Sequence, residues 1–271
     1  MNELFTGLFD DAALFPPGNA PMDAAVPAHL AHRRAWYADM VGPFVCPDTR
    51  LADLGRLPGP VPVAVLVTGG PSAAALQGLT ADQLAAVEIP AGPDPAATVA
   101  AALTLASGAP VFVEVPWDST QTSVQDSLAG TGVHAKLRTG GTSAAAFPTE
   151  RQLAAAIAGC LRRDVAFKCT AGLHHAVRHT AGDTGFEHHG FLNVLLATAA
   201  LLDAATVAAA AEVLAERSHR ALADAVRRLT IDRIAHLRTR FRSFGTCSIT
   251  EPLDDLASLG LLDATERTEI A

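Results

Sequence analysis

The 271 residues predict an α/β protein, a TIM (β/α)8 barrel built as one domain over residues 1–271, with an extended helical insertion before the last strand. Three observations predict it. Short β-branched runs bounded by turn residues recur at 44–47, 63–67, 87–90, 111–115, 134–138, 165–169 and 242–246, the pattern of strands. Ala-rich stretches of helical character lie between them, 95–107 and 149–162 among them. The first five strand starts fall 19 to 24 residues apart, room for one strand, one helix and two loops, which is the repeating unit of a parallel sheet.

Taken in order, the eighth strand is expected at the start of the chain, near 4–9 or around 12–15. Between those two stretches, Asp10 and Asp11 read as a solvated acidic pair in a loop. An open doubly wound sheet is the rival architecture, but it most often carries a glycine-rich nucleotide loop after its first strand. Neither GxGxxG nor GxxxxGK[ST] occurs, and no cofactor is called for. The rhythm breaks after 165–169. A loop rich in His and Gly runs over 174–189, then 191–237 reads as at least two helices, and 251–271 as a closing helix or tail. The loop from Leu173 to Gly190 is long, joins a strand to a helix and contains Gly182 and Gly185, so it is expected to close over the barrel mouth.

Composition narrows the function classes. A hydrophobic fraction of 49% with a net charge of −8 and no run of Lys or Arg argues against nucleic acid or a membrane surface as partner. The most apolar stretch, 191–202, is too short to span a bilayer, and the first residues lack the basic region of a signal peptide, so a cytoplasmic protein is expected. A homo-oligomer is compatible with all of this. The four cysteines, Cys46, Cys160, Cys169 and Cys247, are far apart and read as reduced, small buried hydrophobes.

The most informative count is that 18 of the 20 basic residues are arginine. The two lysines are Lys136 and Lys168, and strand alternation puts both on the inner face of the barrel. Glu88, Glu114, His134, Arg138, Ala166 and Thr170 share that phase. Four consecutive strands thus turn ionisable groups inward, where buried charge must be compensated by its neighbours. A chain that uses arginine elsewhere but lysine here is asking for an amine, which can lose its proton. Desolvation and a nearby second cation both favour the neutral amine that a nucleophile requires, and strands about 5 Å apart bring the two lysines together. The arrangement suits Schiff-base chemistry.

Other features leave alternatives open. His174, His175, His179, His188 and His189 could converge on a metal ion, yet no HxH or HExxH spacing fixes such a site, and no metal is assigned. Any of them over the mouth could act as a general acid or base. Glycine clusters follow several strands and could cradle an anion or simply make tight turns. With Arg138 inward beside them, a carboxylate or phosphate on the substrate is favoured, although Arg138 could equally pair with Glu114. Cys247 has no sequence-adjacent base and is a weak candidate nucleophile.

Particular runs carry a resemblance. The segments His134-Ala135-Lys136-Leu137-Arg138-Thr139-Gly140-Gly141, Phe147-Pro148-Thr149-Glu150, Val165-Ala166-Phe167-Lys168-Cys169-Thr170-Ala171-Gly172 and Phe244-Gly245-Thr246-Cys247-Ser248 together resemble the deoxyribose-phosphate aldolase family of class I aldolases. The resemblance covers roughly 63–172 plus the last strand and is specific at the two lysine strands. It implies that Lys136 forms the Schiff base, Lys168 assists it, and Glu88, where the family uses aspartate, moves protons through a water. It also implies that Gly245 to Ser248 match a phosphate-binding motif. Arg138 stands where the family has a small residue, His174 and His175 replace a glycine and a basic turn, and the segment before Phe244 is longer.

The expectation is therefore a lysine-dependent, aldolase-type lyase acting on a small carbonyl metabolite, taken to be anionic. Lys136, Lys168, Glu88 and Glu114 are its catalytic candidates, and Arg138, Thr139, Gly140, Gly141, Thr170, Gly172, His174, His175, Gly245 and Ser248 its substrate-binding ones. Two alternatives stand beside it: a metal-assisted hydrolase or isomerase built on the histidine loop, and a non-catalytic barrel that binds an anionic metabolite. From the shared cationic surroundings, Arg138 together with Lys168 is expected to favour the neutral amine at Lys136, unless Glu114 neutralises the guanidinium.

Overall fold

A computed structural model describes residues 2–54, 61–70, 76–105 and 108–262. The expected helix end at 106–107 and the expected tail over 263–271 lie outside the described residues. In chain order the elements are α1 (Asn2–Phe5), β1 (Phe9–Asp11), α2 (Met22–His32), β2 (Val41–Pro47), α3 (Leu51–Leu54), β3 (Val63–Leu66), β4 (Leu84–Pro90), α4 (Pro95–Leu105), β5 (Val111–Val115), α5 (Gln121–Leu128), β6 (His134–Arg138), α6 (Glu150–Arg162) and β7 (Phe167–Thr170). A two-stranded antiparallel hairpin follows, β8 (His179–Thr180) with β9 (Glu187–His188). Then come α7 (Phe191–Leu202), α8 (Val207–Ala215), α9 (His219–Arg227), α10 (Ile231–Arg240), β10 (Phe241–Thr246) and α11 (Thr250–Ser258).

Eight of the strands, β1 to β7 and β10, pair in parallel and close into a barrel in the order β1-β10-β7-β6-β5-β4-β3-β2. The chain is a TIM barrel. Alternation divides each strand between two cores. Outward residues such as Val87, Ile89, Val111, Val113, Val115, Ala135 and Leu137 join the large cluster that the strands share with the helices. Inward, Val45, Ala64, Ala86 and Phe112 form a separate small cluster with Phe15 against it. Alanine at two of these inner positions keeps the packing low enough for long charged side chains to occupy the layer above, towards the C-terminal ends of the strands.

The closing strand lies between the two expected stretches and shares only Phe9 with 4–9. Leu4 and Phe5 lie in α1, and β1 is only three residues long, paired on both sides, Asp10 opposite Gly245 and Phe9 opposite Val41. So short a strand has no alternation to detect, and its membership depends on β10, more than two hundred residues away. The insertion before β10, read over 191–237 as at least two helices, contains four. Thr206, Ser218 and Thr230 each accept a hydrogen bond from the backbone N–H three residues on, starting α8, α9 and α10. α7 is apolar on nearly all sides because it is buried on nearly all sides. Phe191 stacks on Phe244 with ring centroids 5.1 Å apart and meets Phe9 edge-on at 5.9 Å, which seats α7 behind the β1/β10 seam.

Among the described residues no helix is long and apolar enough to cross a membrane. The four cysteines are free thiols, three of them buried and Cys247 half-buried.

Candidate active site

The inner layer places charged groups of both signs within bonding distance. Lys136 on β6 sits in register opposite Lys168 on β7 and opposite Glu114 on β5. Lys136 Nζ donates to Glu88 Oε2 at 2.9 Å and to Glu114 Oε2 at 3.2 Å. Lys168 Nζ donates to the other oxygen of Glu88, Oε1, at 2.5 Å and also to Asp10. Arg138 Nε donates to Glu114 Oε1 at 3.0 Å. Asp10, Glu88 and Glu114 thus compensate Lys136, Lys168 and Arg138 in one chain of contacts, with Glu88 shared by the two lysines. Both lysines and Glu88 are almost completely buried, whereas Glu114 and Arg138 reach the solvent side.

Electrostatics sorts these groups. Burial alone would raise the Glu88 carboxyl, but the two ammonium groups outweigh it and hold it at about 2. Glu114 is likewise held below the usual range, burial being overcome by Lys136 and Arg138. Burial favours a neutral Lys168, yet Asp10 and Glu88 overrule it and keep this ammonium charged well above its ordinary range. At Asp10 burial is the largest influence and pushes the carboxyl up, against Lys168 and the hydroxyl of Ser243, which donates at 2.7 Å. Of the two arrangements left open for Arg138, the structure has the pairing with Glu114, and Asp10 with Glu88 surrounds Lys168.

Asp10 and Asp11 are not a solvated pair. Both are buried, on alternate faces of β1. Asp10 enters the barrel, while Asp11 Oδ2 meets Nδ1 of the buried His29 at 3.0 Å and ties α2 to the strand. Glycine at position 42 makes the room: a Cβ there would lie 2.2 Å from Asp10 Oδ1.

Above this layer is a cavity of about 620 Å³ at the C-terminal ends of the strands, where barrels carry their sites. Glu88, Lys136, Arg138, Gly141, Lys168, Thr170, Gly172, His174, His175 and Gly245 line it. Thr139, Gly140 and Ser248, expected to bind substrate, do not. The Thr139 hydroxyl is spent on the carbonyls of Ala171 and Thr170, and a Cβ on Gly140 would meet Gly172 Cα at 2.9 Å, so these residues lock the ends of β6 and β7 together. Ser248 accepts the backbone N–H of Glu251 at 3.3 Å and starts α11. Glu114 contributes through Lys136 and Arg138 and does not line the cavity itself. The carbonyl of Arg138 accepts from Trp117 Nε1 at 2.8 Å, which steadies the strand end.

The loop after β7 covers the mouth. Ala181, Asp183, Thr184 and Phe186 of the hairpin line the cavity. Its base is pinned by the buried Arg178, which meets Glu150 at 2.7 Å and Glu187 at 3.0 Å. His189 is structural and away from the cavity: Nε2 faces the Pro148 carbonyl at 2.8 Å, and burial lowers it to about 4. His175, His179 and His188 line the cavity, but their Nδ1 atoms are committed to three different partners, Asp255, the Val177 carbonyl and the Gly172 carbonyl. Among the described residues no group of three His, Cys, Asp or Glu side chains is placed to hold a metal ion.

His174 differs from the other three. Its Nδ1 lies 3.3 Å from Glu251 Oε2 in the first turn of α11 and 3.6 Å from Cys247 Sγ. Burial lowers His174 despite Glu251, leaving a neutral imidazole beside the cavity near pH 7. Cys247 and His174 meet through the same nitrogen that faces Glu251, and burial pushes the thiol up, so nothing activates Cys247 as a nucleophile. Residues that sequence reasoning missed are Asp10, Glu251 and the aromatic wall of Phe15, Phe147 and Phe186. Their only signal was position in a loop, a first helical turn or a three-residue strand beside the mouth.

No protein-family model matches this chain, and no curated protein matches it. The site is therefore read from its own geometry.

Proposed function

We propose that the protein is a Schiff-base lyase of the aldolase type acting on a carbonyl compound, with Lys136 as the nucleophile. The observation that carries this reading is a single buried carboxylate, Glu88, bonded through separate oxygens to the chain's only two lysines at the floor of a cavity. A purely structural ion pair needs one cation and gains nothing from choosing lysine over arginine. Lys168 lies between two carboxylates and acts as a fixed cation. Lys136 shares its second carboxylate, Glu114, with Arg138, which makes it the less tightly paired of the two amines.

In this reading Lys136 passes a proton towards Glu114 and its Nζ adds to the carbonyl carbon. The carbinolamine oxygen leaves as water after protonation, giving an iminium. A base then takes the proton of the hydroxyl one carbon beyond the neighbouring carbon, the carbon–carbon bond breaks, and its electron pair enters the iminium to give an enamine while an aldehyde departs. Protonation of the enamine carbon and hydrolysis by water release the second product and restore Lys136. His174 suits the role of that base, since Nδ1 is engaged by Glu251 and Nε2 is the atom left to exchange a proton. Glu88, itself held by Lys168, fixes the position of the reacting amine. The resemblance of the two lysine strands to the deoxyribose-phosphate aldolases supports the same assignment.

The test is borohydride reduction in the presence of short aldehydes and ketones, with the adduct located by mass spectrometry. The expected adduct is on Lys136, absent in Lys136→Ala and formed in Lys168→Met. An adduct on Lys168 alone reverses the assignment, and no adduct with any carbonyl probe defeats the Schiff-base reading.

A further inference from the structure

We infer that the substrate of this site is an uncharged carbonyl compound with an apolar, planar tail, and that a phosphorylated substrate is disfavoured. For the carbonyl the inference rests on the Schiff-base reading; for charge and tail it rests on the cavity lining alone. A phosphate needs cations or N–H groups that are not already engaged. Each cation lining the cavity has a carboxylate partner within the barrel: Lys168 has Asp10 and Glu88, Lys136 has Glu88 and Glu114, and Arg138 has Glu114, met through Nε.

The far end of the cavity is acidic instead. Glu251, in the first turn of α11, lines it and takes the favourable place of an anion at that helix start. The next turn carries Asp255, whose Oδ2 accepts the Ala176 N–H at 2.7 Å and lies 3.2 Å from His175 Nδ1. An amide and an imidazole that could have held a phosphate are thus spent on a carboxylate. Asp183 on the hairpin adds a further acid at the rim. A dianion entering here would face Glu251 and Asp183, and every lining lysine or arginine it could meet already has a carboxylate beside it.

The remaining wall is aromatic. Phe147 packs against Phe186 with centroids 5.3 Å apart and against His188 at 4.6 Å, and Phe15 faces in from the loop after β1. A cavity of about 620 Å³ far exceeds the needs of a three-carbon aldehyde and is in the range that holds ligands with rings. Rings stack on such a wall, whereas a phosphate gains nothing from it.

The test uses two ligands that share one phenylpropyl tail and differ in the phosphate group, 3-phenylpropan-1-ol and its phosphate monoester, titrated into the intact protein by calorimetry. Trapping with 3-phenylpropanal and with glyceraldehyde 3-phosphate is run in parallel. Expected are binding of the alcohol about tenfold or more tighter than the ester, and a ratio that narrows several-fold in Glu251→Gln. Phe147→Ala should weaken both ligands, which share the phenyl ring, and leave their ratio near its wild-type value. Equal or tighter binding of the ester, no binding of the alcohol, or a ratio unmoved by Glu251→Gln overturns the inference. Alcohol binding with no aldehyde adduct defeats the Schiff-base reading and leaves the selectivity standing. Preferential trapping of the phosphorylated aldehyde does the reverse.

Discussion

Replacing Glu88 by glutamine removes one negative charge from between two buried ammonium groups and keeps the shape. Lys168 then retains Asp10, and Lys136 retains Glu114, but the carboxylate both lysines shared is gone, and the amide can offer them only a neutral oxygen. All three side chains are about 2% exposed, so water cannot compensate. Breaking a buried ion pair from one side costs about 3–5 kcal/mol. Proton linkage gives a similar scale: a carboxyl held at about 2 instead of 4.5 stabilises the fold by roughly 3 kcal/mol. The sign follows from the direction of the shift. A depressed carboxyl contributes stability that is fully present above its unfolded value near 4.5 and is lost as pH falls towards 2. Glu88→Gln should therefore lower stability at pH 7 by about 3–4 kcal/mol, a drop in Tm on the order of 10 °C for a chain of this size, and flatten the acid limb between pH 4.5 and 2. Urea unfolding of both proteins across that pH range measures it. Glu114→Gln is the control: its carboxylate is a quarter exposed and partly satisfied by Arg138, so it should cost roughly 1 kcal/mol. A loss below about 1 kcal/mol for Glu88→Gln, or an acid limb as steep as before, would refute the reading of Glu88 as the shared counter-ion of both lysines.

Two further outcomes follow from the same geometry. Gly42→Ala would bring a methyl within 2.2 Å of Asp10 Oδ1 and force that carboxylate or β2 to move; about 1–3 kcal/mol of stability should be lost, and wild-type unfolding midpoints in the variant would show that Asp10 is not tightly held. His189, buried beside Arg178, should stay neutral down to about pH 4, so its NMR resonance should not move between pH 7 and 5; because its folded value lies below its unfolded one, its neutral form adds stability that is present above about 6.5 and declines as pH falls towards 4.

Local pattern in the sequence was enough to determine the barrel and much of its inner face. Strands β2 to β6 repeat at the spacing of βα units, and a strand has a period of two, so once Val111, Val113 and Val115 are turned outward Glu114 must face in, and the same logic orients Glu88, Lys136 and Lys168. Composition added the choice of lysine over arginine at two positions. What the tertiary structure decided is which of these inward charges meet. Asp10 was illegible because β1 is three residues long and becomes a strand only by pairing with β2 and with β10, which closes the ring from the far end of the chain. That closure delivers a third carboxylate and cages Lys168 as a cation, an outcome no alternation pattern contains. The acid on α11, the aromatic wall and the divergent histidine nitrogens belong to the same class: each side chain sits in a loop, a two-residue strand or a first helical turn, too short to show a period, and only the closed barrel brings those segments to one mouth.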